Sequence, residues 1–360
     1  MPEPQPFIFD VHLDLSMNAM EWNRDLTQPL EKIRICEANQ TDKPDRSMGT
    51  VCLPEMRKGN VGLCVATQIA RYTKQKNPLP GWHSPAQAWA QSQGQLSWYN
   101  EVERQGELTQ ICNLEQLESH LEKWSTGQNK QLPIGYVLSL EGADSIITLQ
   151  HLESAYEKGL RAIGPAHYGP GTYAPGTGES GPLGNGATEL LREMERLNII
   201  LDVTHLSDTS LDQALDTFSG TVWASHCNCR TLVPGERQLN DHQLKRLIER
   251  GGVIGAALDA WMLIPDWQRG LTTPQSSGVK LSHVANHIDY VCQLAGNSKH
   301  ACIGTDLDGG FGLEQSPGDM ESIADLQKLP SILGKRGYST DDINNVMGLN
   351  AIDILRSAWK

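Results

Sequence analysis

Nowhere in the 360 residues is there an apolar run of about 18, the length a bilayer-spanning helix needs, so no membrane span is expected. The opening Met1-Pro2-Glu3-Pro4-Gln5-Pro6 has neither a basic start nor a long apolar stretch and does not read as a secretory signal, so a cytoplasmic protein is expected. Positive charge is short as well: Lys and Arg total 30 against 43 Asp and Glu, a net charge of -13. Such a surface repels nucleic acid and anionic lipid, which removes both as partners. The eight cysteines are scattered, and a chain this long has no need of disulfides, so free thiols are expected. Cys227-Asn228-Cys229 lacks a second cysteine pair to complete a tetrahedral metal site. Internal repeats and linkers are also missing, and residues 1–360 read as one domain.

What the chain does have is a series of short apolar runs separated by helical patterns. They are Phe7–Phe9, Val61–Ala66, Ile134–Leu140, Leu160–Gly164, Ile199–Val203, Thr221–Ala224, Val253–Leu258 and Ala301–Gly304. Eight buried-type strands alternating with helices imply a parallel sheet, and eight is the number that closes a (β/α)8 TIM barrel. The helices are legible between them. Leu190, Leu191, Met194 and Leu197 form one stripe of a helix that Asn198 ends. Ser207 caps a helix over 208–218, His283 to Leu294 is a third, and Ser339 opens a closing helix with acidic residues in its first turn. Residues 71–133 exceed one crossover helix and predict extra helices there. The glycine-rich stretch 164–186 has no Gly-Lys-Ser/Thr and no dinucleotide spacing, so it reads as a lid or substrate loop rather than a phosphate cradle.

The ends of these strands carry the chemistry: His12 and Asp14, Glu141, His167, His205, His226 and Asp306. In a barrel the strand ends meet at one mouth, so His and carboxylates converging there form a metal constellation. His12 and Asp14 are two apart and, on a strand, share a face. They suit one metal, His205 and His226 a second, and Glu141 a bridge. Two such ions about 3.5–4 Å apart would hold a hydroxide as nucleophile. Asp306, off the ligand pairs at the same mouth, is the expected general acid/base. His283 and His287 have zinc-pair spacing but no glutamate base between them, on an outer helix. His83, His120, His151, His242 and His300 have no companions, and the nine tryptophans read as loop and core packing.

These motifs resemble the membrane (renal-type) dipeptidases, peptidase family M19 of the amidohydrolase superfamily. The resemblance rests on Asp10-Val11-His12-Leu13-Asp14, Leu140-Glu141-Gly142-Ala143, Leu160-Arg161 through His167, Arg192-Glu193-Met194 through Leu206-Ser207, Ser225-His226, His283 through Gly296, and Ile303-Gly304-Thr305-Asp306-Leu307-Asp308-Gly309. It runs from about residue 134 to the C-terminus, with the first strand as a separate anchor; residues 15–133 match poorly. It implies zinc on His12, Asp14, Glu141, His205 and His226. It implies His167 at the scissile carbonyl or oxyanion, Arg237 on the substrate's terminal carboxylate, and Asp306 protonating the leaving amine. Animal members carry a signal peptide and a lipid anchor; neither is visible, which implies a soluble, bacterial-type form. The family usually has Gly and Asn at Val11 and Leu13, Gly at Ala143, and Asn or Ser at Tyr168, and these departures are expected to alter the pocket wall.

The expected activity is hydrolysis of a dipeptide, with a D-residue on the C-terminal side as a candidate preference and a homodimer as the candidate assembly. One rival is another amidohydrolase-superfamily enzyme acting on N-acyl amino acids, lactones or cyclic amides, which the metal site alone does not separate. A non-catalytic metal or small-molecule binder is the other, and Asp306 argues against it.

Overall fold

The computed structural model describes residues 5–73, 80–126 and 131–360; Met1 to Pro4, on which part of the leader reading rests, lie outside these. Among the described residues nine strands form one parallel sheet: β1 (Ile8–Leu13), β2 (Val61–Ile69), β3 (Leu108–Gln110), β4 (Ile134–Glu141), β5 (Leu160–Gly164), β6 (Ile200–Asp202), β7 (Val222–Ala224), β8 (Val253–Ala256) and β9 (Ala301–Ile303). Pairing runs from β2 through β1 and β9 round to β4, and β2 pairs with β4 in a seven-residue register from Leu63↔Gly135 to Ile69↔Glu141. Eight strands therefore close into a TIM barrel with helices between them. β3 is a short ninth strand that pairs with Ile134–Tyr136 at the start of β4, ahead of the stretch from Leu138 that pairs with β5. It lies in the 71–133 crossover with helices Pro85–Arg104 and Leu114–Ser125, and residues 74–79 and 127–130 of that segment are outside the described residues.

The eight barrel strands are buried on both sides, as their apolar sequence requires. Phe9, Val11, Leu63, Val65, Val137, Ala162, Ile200, Trp223, Val253 and Cys302 come from all eight and pack together, with Ile352 and Leu355 of the C-terminal helix Asn350–Ala358 joining them. This is the filled interior of the barrel. A larger cluster, including Ile8, Leu13, Cys64 and Leu138, seals the strands to the outer helices.

The predicted helix boundaries are decided by caps. Ser207 Oγ accepts from the Ser210 amide at 3.3 Å ahead of Asp208–Thr217. Ser339 accepts from the Asp342 amide at 3.2 Å ahead of Thr340–Asn344. Asn198 follows Ala187–Arg196 with φ 54°, the left-handed conformation that stops a helix. All eight cysteines are unpaired. Among the described residues no helix is long and apolar enough to cross a membrane.

Candidate metal centre

The alternation of β1 places Phe9 and Val11 in the barrel interior, and unbroken it would send Leu13 inward and His12 out. A register shift between Asp10 and Leu13 reverses this. Asp10 fixes the shifted end: its carboxylate accepts from the His12 amide (3.2 Å), the Thr305 amide (2.9 Å) and the Thr305 hydroxyl (2.6 Å). β1 is thereby stitched to the segment after β9, and Asp306 N donates to His12 O at 3.3 Å. Asp14 lies beyond the strand, at the start of helix Leu15–Met20. The shared-face argument for His12 and Asp14 is therefore corrected: they converge through a bulge and a helix start, with Nε2 and Oδ2 3.8 Å apart.

The other members arrive from strand ends and the loops after them. Glu141 is the last residue of β4, and Gly142 turns the chain away at φ 79°, open to glycine at little cost. His205 and His226 follow β6 and β7; His205 itself has φ 69° and Asp306 φ 58°, uncommon values for residues with a β-carbon. Gly304 is needed for packing, because a methyl group there would overlap the Ser225 carbonyl oxygen.

Glu141 Oε1 is the hub. It lies 3.2 Å from His205 Nε2, 3.3 Å from His226 Nε2 and 3.6 Å from His12 Nε2. Two compact donor groups share it: His12, Asp14 and Glu141, and Glu141, His205 and His226. A third joins His12, His226 and Asp306. Asp306 Oδ1 is 3.7 Å from His12 Nε2, so the acid expected to stand off the ligand pairs is part of the cluster. The five residues proposed as ligands are all buried, while Asp306 and His167 keep 15% and 17% of their side chains exposed.

The cluster suits divalent cations. His12 Nε2 is a buried nitrogen with no hydrogen-bond partner among the described residues, facing three carboxylates. Burial opposes a charge on His12, but Glu141, Asp14 and Asp306 outweigh it and push the ring up to about 10: the cage calls for a cation. His205 and His226 are held well below their ordinary range, first by burial and then by neighbouring cationic side chains, which keeps the lone pairs a metal needs. Glu141 is held well above its range by burial and by Asp14 beside it. Each imidazole is also braced from behind: His226 Nδ1 by Ser225 Oγ at 2.8 Å, His12 Nδ1 by the same oxygen at 3.4 Å, and His205 Nδ1 by Thr177 Oγ1 at 2.8 Å. Asp14 Oδ1 accepts from Thr67 Oγ1.

A cavity of about 420 Å³ opens over the cluster. A family model described as membrane dipeptidase (peptidase family M19) matches residues 4–360. The chain belongs to that family. Dipeptidase tcpJ of Claviceps purpurea is 28% identical over 233 residues, covering 62% of this chain and 51% of that protein, so the chain matches about half of that relative's length. A Klebsiella pneumoniae protein in the pqqA 5' region is 27% identical over 217 residues, covering 58% of this chain and 76% of that protein. Dipeptidase AC, a metallopeptidase of family M19, superposes with a TM-score of 0.79 at 20% identity, covering 99% of each chain. A Rhodobacter sphaeroides metallopeptidase, solved with a phosphinate mimic of the dipeptide L-Ala-D-Ala, gives 0.77 at 19%, covering 99% of this chain and 100% of that one. At these identities the structures speak for a shared fold. Membership in M19, a family of metallopeptidases, implies a hydrolase that uses a divalent metal.

The rest of this M19 cavity was only partly legible. Arg237 lines it, buried, with Nη2 on His226 O (2.9 Å) and Nη1 toward Cys227 Sγ (3.4 Å). Among the described residues no carboxylate lies within 4 Å of it. Cys229 instead faces His287 O, so the Cys-Asn-Cys pair diverges. Trp22, Trp82 and Trp261 line the cavity, which corrects their reading as loop and core packing. Trp261 sits beneath Arg269, and its Nε1 donates to Asp259 Oδ2 at 2.6 Å. Val11 and Leu13 are fully buried in the barrel and its outer core, so the departures there do not touch the pocket wall; Tyr168 does. The 164–186 segment supplies His167 and Tyr168 to the cavity and Thr177 to His205. Arg71, which carried no signal in the sequence, reaches the site and hydrogen-bonds His167 Nδ1.

Proposed function

We propose that this chain is a two-metal dipeptidase that hydrolyses the peptide bond of dipeptides carrying a free C-terminal carboxylate. The observation that carries the proposal is Glu141 Oε1 set within 3.2–3.6 Å of three imidazole Nε2 atoms at the barrel mouth. His12 and Asp14 would hold one ion, His205 and His226 the other, and Glu141 both, with zinc as the metal. When bound, such a pair supplies Lewis acidity and a water acidic enough to act as nucleophile at neutral pH.

The remaining steps belong to the chain. Arg237 has a full charge, no carboxylate of its own among the described residues and a place on the cavity wall, so it receives the substrate's α-carboxylate. His167 donates to the scissile carbonyl oxygen as charge builds on it. Asp306 exchanges a proton with the attacking water and delivers it to the leaving amine. Burial raises its carboxyl well above the ordinary range, toward the pH at which proton exchange is efficient. The Rhodobacter neighbour's L-Ala-D-Ala mimic supports an L-Xaa-D-Xaa preference as the first to try. The proposal extends to residues 1–360 acting as one unit, in a homodimer.

A dipeptide panel with L- and D-residues at the second position, run with and without chelator, tests this reading. Chelator-sensitive cleavage is expected. A fully metal-loaded protein that cleaves no dipeptide but opens an N-acyl amino acid, lactone or cyclic amide would overturn it.

A further inference from the structure

Four imidazoles gather at the barrel mouth, and the group behind each one sorts them. His12, His205 and His226 face hydroxyls at Nδ1, from Ser225 and Thr177. A hydroxyl accepts as readily as it donates, so these rings are free to carry their proton on Nδ1 and turn an Nε2 lone pair to a metal. His167 differs. Its Nδ1 is held by Nη2 of Arg71, two residues past the end of β2. A guanidinium only donates and stays charged. The Nδ1 of His167 must therefore be the accepting nitrogen. A ring whose Nδ1 accepts a hydrogen bond carries its one N–H on Nε2. That Nε2 faces the cluster, 3.8 Å from Glu141 Oε2, and His167 belongs to none of the donor groups found among the described residues.

We propose that Arg71 is a positioning residue that locks His167 in its Nε2–H tautomer, barring it from metal ligation and making it a hydrogen-bond donor to the carbonyl under attack. The lock itself follows from donor and acceptor chemistry; the carbonyl rests on the dipeptidase reading. The geometry of Arg71 favours this role over a substrate clamp. Its Nη1 donates to Pro80 O at 3.1 Å and its Nη2 to His167, while its buried Nε has no partner among the described residues. Each outer arm of the fork already makes one hydrogen bond within the protein, which fixes the guanidinium against His167.

The test uses protein labelled with 15N in histidine, metal-free and zinc-loaded, with His167 assigned by the signals lost in His167→Gln. The unmodified protein should show the Nε2–H pattern for His167 in both forms, and Arg71→Met should lose it. In parallel, kcat of Arg71→Met should fall about 10-fold or more, toward the 10²–10³-fold cost of a lost oxyanion donor. KM and metal content should hold, and Arg71→Lys, which keeps a donor, should recover part of the loss. An Nδ1–H pattern in the unmodified protein overturns the lock, as does full kcat in Arg71→Met. A rise in KM alone, confined to substrates with a second carboxylate, also overturns it and assigns Arg71 to substrate binding. If the unmodified protein cleaves no dipeptide, the dipeptidase reading fails, while the 15N pattern still decides the lock.

Discussion

Ser225 Oγ lies 2.8 Å from His226 Nδ1 and 3.4 Å from His12 Nδ1, so one hydroxyl after β7 backs two imidazoles of the cluster. Ser225→Ala removes both contacts and changes little else in volume. Losing an outer partner of this kind costs about 10–100-fold in metal affinity. We expect that loss in a metal titration, with the unfolding midpoint of the metal-free protein nearly unchanged.

Asp306 is placed for two roles, and Asp306→Asn separates them. As a proton carrier it should lower kcat by about 10²–10⁴-fold with metal content intact. A fall in bound metal, read by elemental analysis after dialysis, would instead make it a ligand, as its 3.7 Å approach to His12 Nε2 allows.

Arg237→Ala should lower kcat/KM by about 10–150-fold, the equivalent of roughly 1.5–3 kcal/mol for a charge-assisted hydrogen bond. The loss should vanish for dipeptide amides, which lack the carboxylate. An equal loss on both substrates would assign Arg237 to bracing the His226 backbone.

Arg24 is buried and bonds Glu37 Oε1 (2.9 Å) and Asp45 Oδ2 (3.0 Å), with Asp308 Oδ2 3.6 Å from Nη1. It also donates to Asn18 Oδ1 at 2.8 Å, and Asn18 bonds the carbonyls of Asp14 and Asp308. Arg24→Met leaves buried carboxylates uncompensated and should destabilise the fold by about 3–5 kcal/mol, measured by urea unfolding. A change below 1 kcal/mol would contradict this account.

His287 is buried on the helix Leu281–Ala295 and accepts from the Cys229 amide at 3.0 Å. Burial pushes it down from 6.5 to about 4, so it stays neutral in the fold. As pH falls below 6.5 the unfolded chain takes up the proton first, and stability drains away until pH reaches about 4. The full loss is roughly 3 kcal/mol. Urea unfolding of His287→Gln across that window should show a flatter slope with pH than the unmodified protein. Parallel slopes would exclude this contribution.

Much of the fold was readable in advance because a parallel barrel strand is buried on both faces and so is written as a short apolar run; all eight runs became strands, most trimmed or extended by a few residues. β3 escaped, since Leu108–Gln110 is three residues pairing on one edge, too short for a periodic signal. The convergence of His12, Asp14, Glu141, His205 and His226 was also legible, because the topology of a barrel alone brings its strand ends to one mouth. The helper residues were not. Ser225, Thr177, Thr67 and Arg71 are ordinary polar residues whose partners lie up to 213 positions away, at distances no local pattern encodes.

The sequence by itself determined the eight barrel strands, their closure and the residue types at the mouth, because each follows from local hydrophobic period and order along the chain. Only the tertiary structure decided how those residues act. A bulge, not alternation, turns His12 inward, and Asp306 enters the cluster through the β1–β9 stitch at Asp10. The nitrogen that carries each imidazole proton depends on whether a hydroxyl or a guanidinium stands behind the ring. That is a matter of hydrogen-bond partners, which exist only once the chain has closed.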